Sequence, residues 1–273
     1  MDRGLVGADE TAFAIVEALV EAGESGVTAL ADRLDLSKST VHRHLGTLAA
    51  LGYVTNEDGS YRLSHEWFRV GTAVRSRSPF YRASRPVIRR LAAETGETAW
   101  AAIAEDGRLM FVDGAGSNPT PNPDLLTGNW SSLATTAAGK AILAHLPRDR
   151  VDAVLARHAE PAVDRSGGVA SADDAEGIDG PTDAERVRRD LERVRRRGYA
   201  INRGEDVSGI YAIGVPVRAD DGVAGSLSVA STAATVIGER RESVVAALRE
   251  AAERVESALG STAVPKGRSG DEA

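Results

Sequence analysis

Along the first sixty residues, apolar positions return every three or four residues in three separate bursts. Ala12, Phe13, Val16, Leu19 and Val20 form the first, which predicts an amphipathic helix closed by Gly23 and Gly26. Leu30 and Leu34 mark a second, short helix, with Thr28 placed to cap it. After the turn Asp35-Leu36-Ser37 a third helix runs from about Lys38 to Leu51 and stops at Gly52. Then the period changes. Val54 and Tyr61-Arg62-Leu63 flank Asn56-Glu57-Asp58-Gly59, and Asp-Gly at that place predicts a hairpin. Three helices and a hairpin is the order of a winged helix-turn-helix, assigned to residues 9–63.

Residues 64–80 predict a linker helix. Residues 81–260 alternate helical and strand patterns, which gives an α+β class for the chain. Within them, Ala137-Ala138-Gly139-Lys140 opens a helix that reaches Leu146 before Pro147. Its small first residues leave backbone N–H groups open to an anion, but the glycine and Ser/Thr pattern of a phosphate loop is missing. Thr182 and Glu185 form a capping box for a helix with the apolar stripe Val187, Leu191 and Val194. The arginines from Arg186 to Arg197 are interleaved with Asp190 and Glu192, so a solvated face is the expectation rather than a second DNA contact. Val223 to Ala230 alternates as a strand: Leu227 and Val229 on one face, Ser226, Ser228 and Ala230 on the other. That small, hydroxylated face suits a polar ligand, or a closely packed helix; pattern alone favours the helix. A last helix covers Glu239 to Leu259. Residues 164–180 look like a flexible insertion and 261–273 like a disordered tail.

On the third helix, at about 100° per residue, Val41, Leu45 and Leu48 share one stripe and face the other helices. Ser39, Arg43 and Gly46 lie opposite, flanked by Thr40, Thr47 and His42, with no acid on the helix. A helix entering the major groove needs such a face: short, polar and basic, able to reach base edges without repelling phosphate. Ser37, Lys38, Ser39, Thr40, His42, Arg43 and Thr47 are therefore the candidate DNA contacts, with Arg62 on the wing either a phosphate contact or a plain surface charge.

Composition first complicates this and then bounds it. The net charge is −7, which looks wrong for a DNA binder, but DNA binding needs a local patch only, and Asp173 to Asp183 carries a concentration of acids far from the helix. Lys38, Lys140 and Lys266 are the only lysines, and high Asp/Glu with scarce Lys suggests a cytoplasm of high salt. Without cysteine, disulfides, thiolate metal sites and thiol catalysis are excluded. His42 and His44 are two apart, and His65, His145 and His158 are isolated, so no metal site is expected. No cofactor fingerprint appears. No apolar run approaches the roughly 18–20 residues of a membrane span, and Met1 to Gly7 does not read as a signal peptide, so a cytoplasmic protein is expected.

The run Leu34 to Leu45, with Leu51-Gly52-Tyr53-Val54 and Tyr61-Arg62-Leu63, resembles the isocitrate-lyase-regulator (IclR) family. Thr136 to Ala144, then Gly198-Tyr199-Ala200 with Glu205 and Gly209, then Ala212 to Val217 follow in the family's order, so the resemblance covers nearly the whole chain. It implies a C-terminal effector domain over 81–260, related to GAF and PAS sensors, with a central antiparallel sheet. It also implies a homodimer or dimer of dimers on a pseudo-palindromic operator, and a small effector, a metabolic acid or sugar derivative. Carried over position by position, the effector pocket comprises Ala137, Ala138, Asn202, Ala212, Ser228 and Ala230, with the loop Thr120 to Trp130 beside it. Some members have an acid at Asn202, a cysteine at Ala212 and a serine at Ala230, so the pocket here is expected to be less polar. The competing readings are an enzyme with an accessory winged helix, for which no nucleophile–base pair is seen, and a protein-docking module.

Overall fold

A computed structural model of the chain describes residues 4–117, 120–159 and 184–262. The chain divides into two compact units, Met1–Ser76 and Arg77–Ala273.

The first unit opens with α1 (Gly7–Ala22), β1 (Glu24–Gly26), α2 (Val27–Leu34) and α3 (Lys38–Ala50). The hairpin β2 (Val54–Glu57) and β3 (Ser60–Leu63) follows, then α4 (Glu66–Arg77). Asp58 and Gly59 both have positive φ, at 52° and 90°, as a two-residue hairpin turn requires, and Glu57 pairs with Ser60 across it. Ile15, Leu19, Leu30, Val41, Leu45 and Val54 build one core. Two details differ from the pattern. Phe13 and Val20 are 59 % and 50 % exposed, because the buried stripe of α1 runs through Ile15, Val16, Ala18 and Leu19. Thr28 does not cap α2: Glu24–Gly26 is a strand paired with β3, so the chain is extended up to Val27 and Gly26 holds the cap position without a side-chain bond. The start of α4 is tied to the same unit. Trp67 Nε1 donates to the Tyr53 carbonyl at 3.0 Å, and their rings lie 4.9 Å apart. The linker pattern over 64–80 contains this helix and the first residues of the next one, which begins at Pro79 after the N-cap Ser78.

In the second unit a six-stranded antiparallel sheet has the order β6-β5-β4-β9-β8-β7. Its strands are β4 (Thr98–Glu105), β5 (Arg108–Ala115), β6 (Trp130–Ser131), β7 (Ala200–Arg203), β8 (Tyr211–Ala219) and β9 (Gly222–Ser231). One face carries Ala99, Ala101, Ile213, Val215, Leu227 and Val229 and packs on α5 (Pro79–Thr95) and α10 (Arg241–Thr262). The other face is lined with small residues and is covered by α7 (Ala137–Leu143), with α8 (Arg148–Ala159) and α9 (Ala184–Arg197) behind it. A one-turn helix, α6 (Pro123–Leu126), precedes β6. Small residues are needed there: a Cβ on Gly214 would lie 2.6 Å from the Ala137 carbonyl oxygen. The small strand face is therefore, in part, a close helix contact. α7 ends at Leu143 rather than Leu146. Val187, Leu191 and Val194 are the buried stripe of α9. Residues 261 and 262, expected to begin a disordered tail, are instead the last of α10; the capping residue Thr182, the insertion 164–180 and the rest of the tail lie outside the described residues.

Candidate functional site

The first site is the outer face of α3. Ser37 caps the helix, its Oγ accepting from the Thr40 N–H at 3.1 Å. The same oxygen is 2.9 Å from Ser39 Oγ and 2.8 Å from Thr40 Oγ1, so three hydroxyls cluster at the helix start. Lys38, Ser39, His42, Arg43, Gly46 and Thr47 are exposed, Thr40 is half-buried, and Val41 and Leu45 are buried behind them. Thr47 Oγ1 donates to the Arg43 carbonyl at 3.0 Å. Among the described residues neither Lys38 nor Arg43 has an acidic partner. Arg62 does: Glu57 on the neighbouring wing strand holds it at 2.7 Å.

The second site lies in the second unit, where the sheet meets α7. Cross-strand register places Asn202, Ala212, Ala230 and Thr98 in one row, and Gly214, Ser228, Trp100 and Gly114 in the next. Ala137, Ala212, Ala230 and Trp100 come together as a buried cluster, with Phe111, Leu126 and Ile210 half-buried around it. Ala138 belongs instead to the core under α8 and α9. Trp100 and Phe111 stack at a tilt, ring centres 4.9 Å apart. Gly114 makes room for the indole: a Cβ there would come within 2.7 Å of the Trp100 ring and 3.0 Å of Pro123. No local pattern singles out Trp100; only register shows that it faces the alanines.

Beside the cluster, a polar network fastens the β7–β8 connection to the start of α7. Asn202 Nδ2 donates to the Thr135 carbonyl at 2.9 Å, and its Oδ1 accepts from the Gly204 and Glu205 N–H groups at 2.7 and 3.2 Å. Thr135 Oγ1 donates to Asp206 at 3.0 Å. Lys140 Nζ donates to Glu205 at 3.2 Å, with Lys140 3 % exposed. Burial pushes the Lys140 ammonium below the usual lysine range, and the Glu205 carboxylate pulls it back. Asn202 thus acts here as a structural clasp, with three of its bonds made to backbone. Thr136 Oγ1 accepts from the Gly139 N–H at 2.9 Å and closes the start of α7. Among the described residues no group of His, Asp or Glu is placed to hold a metal ion, and no helix is long and apolar enough to cross a membrane.

A capped, acid-free helix on a winged helix-turn-helix, followed by a separate sheet domain whose small-residue face is covered by a helix, defines the class of two-domain DNA-binding regulators. Comparison with known proteins makes this specific. Residues 10–58 match the IclR helix-turn-helix domain, and residues 72–167 and 177–257 match the bacterial transcriptional regulator IclR C-terminal domain. The chain is 32 % identical over 80 % of its length, and 80 % of the relative's, to a Halobacterium salinarum protein named "Probable HTH-type transcriptional regulator ArcR". It is 30 % identical to the HTH-type transcriptional regulator KdgR of Escherichia coli, over 91 % of this chain and 90 % of that one. Among solved structures it is similar to an IclR transcriptional regulator from Alicyclobacillus acidocaldarius, with TM-score 0.74, 25 % identity and coverage of 94 % and 100 %. It shares its fold with an IclR homologue from Microbacterium hydrocarbonoxydans crystallised with 4-hydroxybenzoate, with TM-score 0.73, 22 % identity and coverage of 93 % and 100 %. The chain belongs to the IclR family of transcriptional regulators, with a helix-turn-helix DNA-binding domain and an effector-binding C-terminal domain.

Proposed function

We propose that α3 enters the major groove and that Arg43, supported by Ser37, Lys38, Ser39, Thr40, His42 and Thr47, makes the contacts that select the operator. The observation that carries this is the free guanidinium of Arg43 at the centre of an exposed helix face without acids. Arg43 can fork onto a guanine, and the hydroxyl cluster around Ser37 meets phosphate or a base edge. Arg62 serves as a phosphate contact by leaving Glu57, since an exposed ion pair is worth only about 0–1 kcal/mol. The regulator acts in the cytoplasm as a homodimer or dimer of dimers on a pseudo-palindrome with half-sites about 10 bp apart or a multiple of that. If that cytoplasm is salty, with a screening length near ~3 Å at 1 M, diffuse attraction is weak and the paired recognition helices supply most of the affinity.

The effector, a small metabolic compound, occupies the cluster of Ala137, Ala212, Ala230 and Trp100, with Ser228 beside it, and selects one arrangement of the sensor units. That the Microbacterium hydrocarbonoxydans homologue is crystallised with 4-hydroxybenzoate supports control by a small molecule. The test is a titration of the regulator against DNA from upstream of its own gene, repeated over a panel of small acids, sugars and ring compounds. The expected result is saturable binding, altered by one member of the panel; sequence-independent binding alone would refute the reading.

Gly46 gives a second check in which stability and function part. It is exposed in the interior of α3, and a Cβ there would meet nothing within 4 Å. Gly46→Ala is expected to stabilise the first unit by up to about 1 kcal/mol. It is also expected to weaken operator binding severalfold, because the glycine lets the helix backbone approach the DNA. Thermal melts and anisotropy titrations read the two effects; a stabilised variant with native affinity would place Gly46 away from the groove.

A further inference from the structure

The outer face of the wing has the opposite balance of charge from α3. Val54 and Tyr61 turn into the core, so the other face of the three strands carries Glu24 on β1, Ser60 and Arg62 on β3, and Thr55 and Glu57 on β2. Two acids stand there with one base, whereas the exposed face of α3 has Lys38 and Arg43 and no acid. Arg62 lies in the middle: its register partners are Glu24 on one side and Thr55 on the other. Among the described residues it bonds neither. The Thr55 hydroxyl is buried without a partner, and the guanidinium reaches diagonally to Glu57, Nη2 to Oε1 at 2.7 Å. Both members of the pair are open to solvent, at 41 % and 72 % exposure. The wing arginine is thus held by an acid that it leaves behind when it turns to a phosphate.

We propose that Glu57 is an exchange partner that makes the wing's DNA contact insensitive to salt. This rests on the reading that the winged unit binds duplex DNA. When Arg62 moves to a phosphate, the DNA releases about one condensed cation, which alone would steepen log K against log salt by ~0.9. Glu57, stripped of its partner and left in the negative potential of the phosphates, takes up one cation from its surroundings, at no fixed site. Release and uptake cancel. The wing therefore gains a backbone contact without adding to the salt slope, and Glu24 across the strand keeps the neighbourhood attractive to cations. Arg43, which has no acid to leave, follows the ordinary rule, and its contact weakens as salt rises.

The experiment is a set of anisotropy titrations of the full chain against DNA from upstream of its own gene, at a series of potassium chloride concentrations. Native protein is compared with Glu57→Gln, Arg62→Gln and the double variant. Both side chains are exposed, so the variants should fold, and thermal melts verify it. Native protein and Arg62→Gln should share one slope, with Arg62→Gln weaker at every concentration. Glu57→Gln should steepen the slope by ~0.9 per wing and bind roughly 2- to 5-fold tighter at the lowest salt, an advantage that shrinks as salt rises. In the double variant the extra slope should vanish. A slope that falls by ~0.9 per wing in Arg62→Gln would overturn the proposal, because Arg62 would then be an ordinary phosphate contact. So would an unchanged slope in Glu57→Gln, or one that stays steep in the double variant, where net charge alone would account for it. These outcomes are separate from the groove reading. If Arg43→Ala leaves operator affinity intact while the wing slopes come out as expected, α3 loses its role and the wing keeps its own.

Discussion

Replacement of Arg43 by alanine is expected to cost roughly 10- to 100-fold in operator affinity per half-site, the range of one bidentate arginine–guanine contact. In a two-fold complex both half-sites lose it. Binding to a scrambled duplex should change far less, because the other polar groups of α3 still meet phosphate. Arg43→Lys separates charge from shape: the ammonium keeps the attraction but lacks the planar fork, so specificity should fall nearly as far as in the alanine variant. Anisotropy titrations against operator and scrambled DNA give both numbers. An unchanged ratio between the two duplexes would remove Arg43 from the recognition set. Neither variant should affect folding, since the side chain is exposed and unpaired.

Gly214→Ala should produce the largest effect on the second unit. The added methyl would lie 2.6 Å from the Ala137 carbonyl oxygen, 2.7 Å from its carbon and 3.0 Å from the Ala138 nitrogen. All three are backbone atoms, so no flexible side chain can swing aside; α7 must lift from the sheet. Overpacking of this kind costs about 1–3 kcal/mol, which for a unit of this size means a fall in Tm of roughly 2–12 °C. Lifting α7 also strains the Asn202–Thr135 and Lys140–Glu205 bonds that border the proposed effector site. The variant should lose its effector response in the cold, well below its melting point, while keeping DNA binding by the first unit. A native melting curve with a native effector response would show that the contact relaxes without cost.

The two units differ in how far their sequence reveals them. In the first unit the elements are local: Val41 and Leu45 recur at helical spacing, and Asp58-Gly59 closes a hairpin by its own backbone preferences. The departures from local pattern there come from tertiary pairing. Strand β1 is only three residues long and is held by β3, over thirty residues later, so no local pattern announces it, and it takes the place that a Thr28 cap would need. In the second unit the alternation of Val223 to Ala230 showed a strand but not what each face meets. That depends on partners from Trp100 on β4 to Ala212 on β8, more than a hundred residues apart.

By itself, then, the sequence determined the winged helix-turn-helix, the polar face around Arg43 and the small-residue character of the strand ending in Ala230, because helix period, turn chemistry and strand alternation are all read within about a dozen residues. Tertiary structure alone decided that Arg62 pairs with Glu57, that Asn202 and Lys140 are consumed in holding α7, and that Trp100 comes to face Ser228 and three alanines. Those outcomes depend on sheet register and on which buried polar group reaches a partner first, and both are properties of strands and helices brought together from distant parts of the chain.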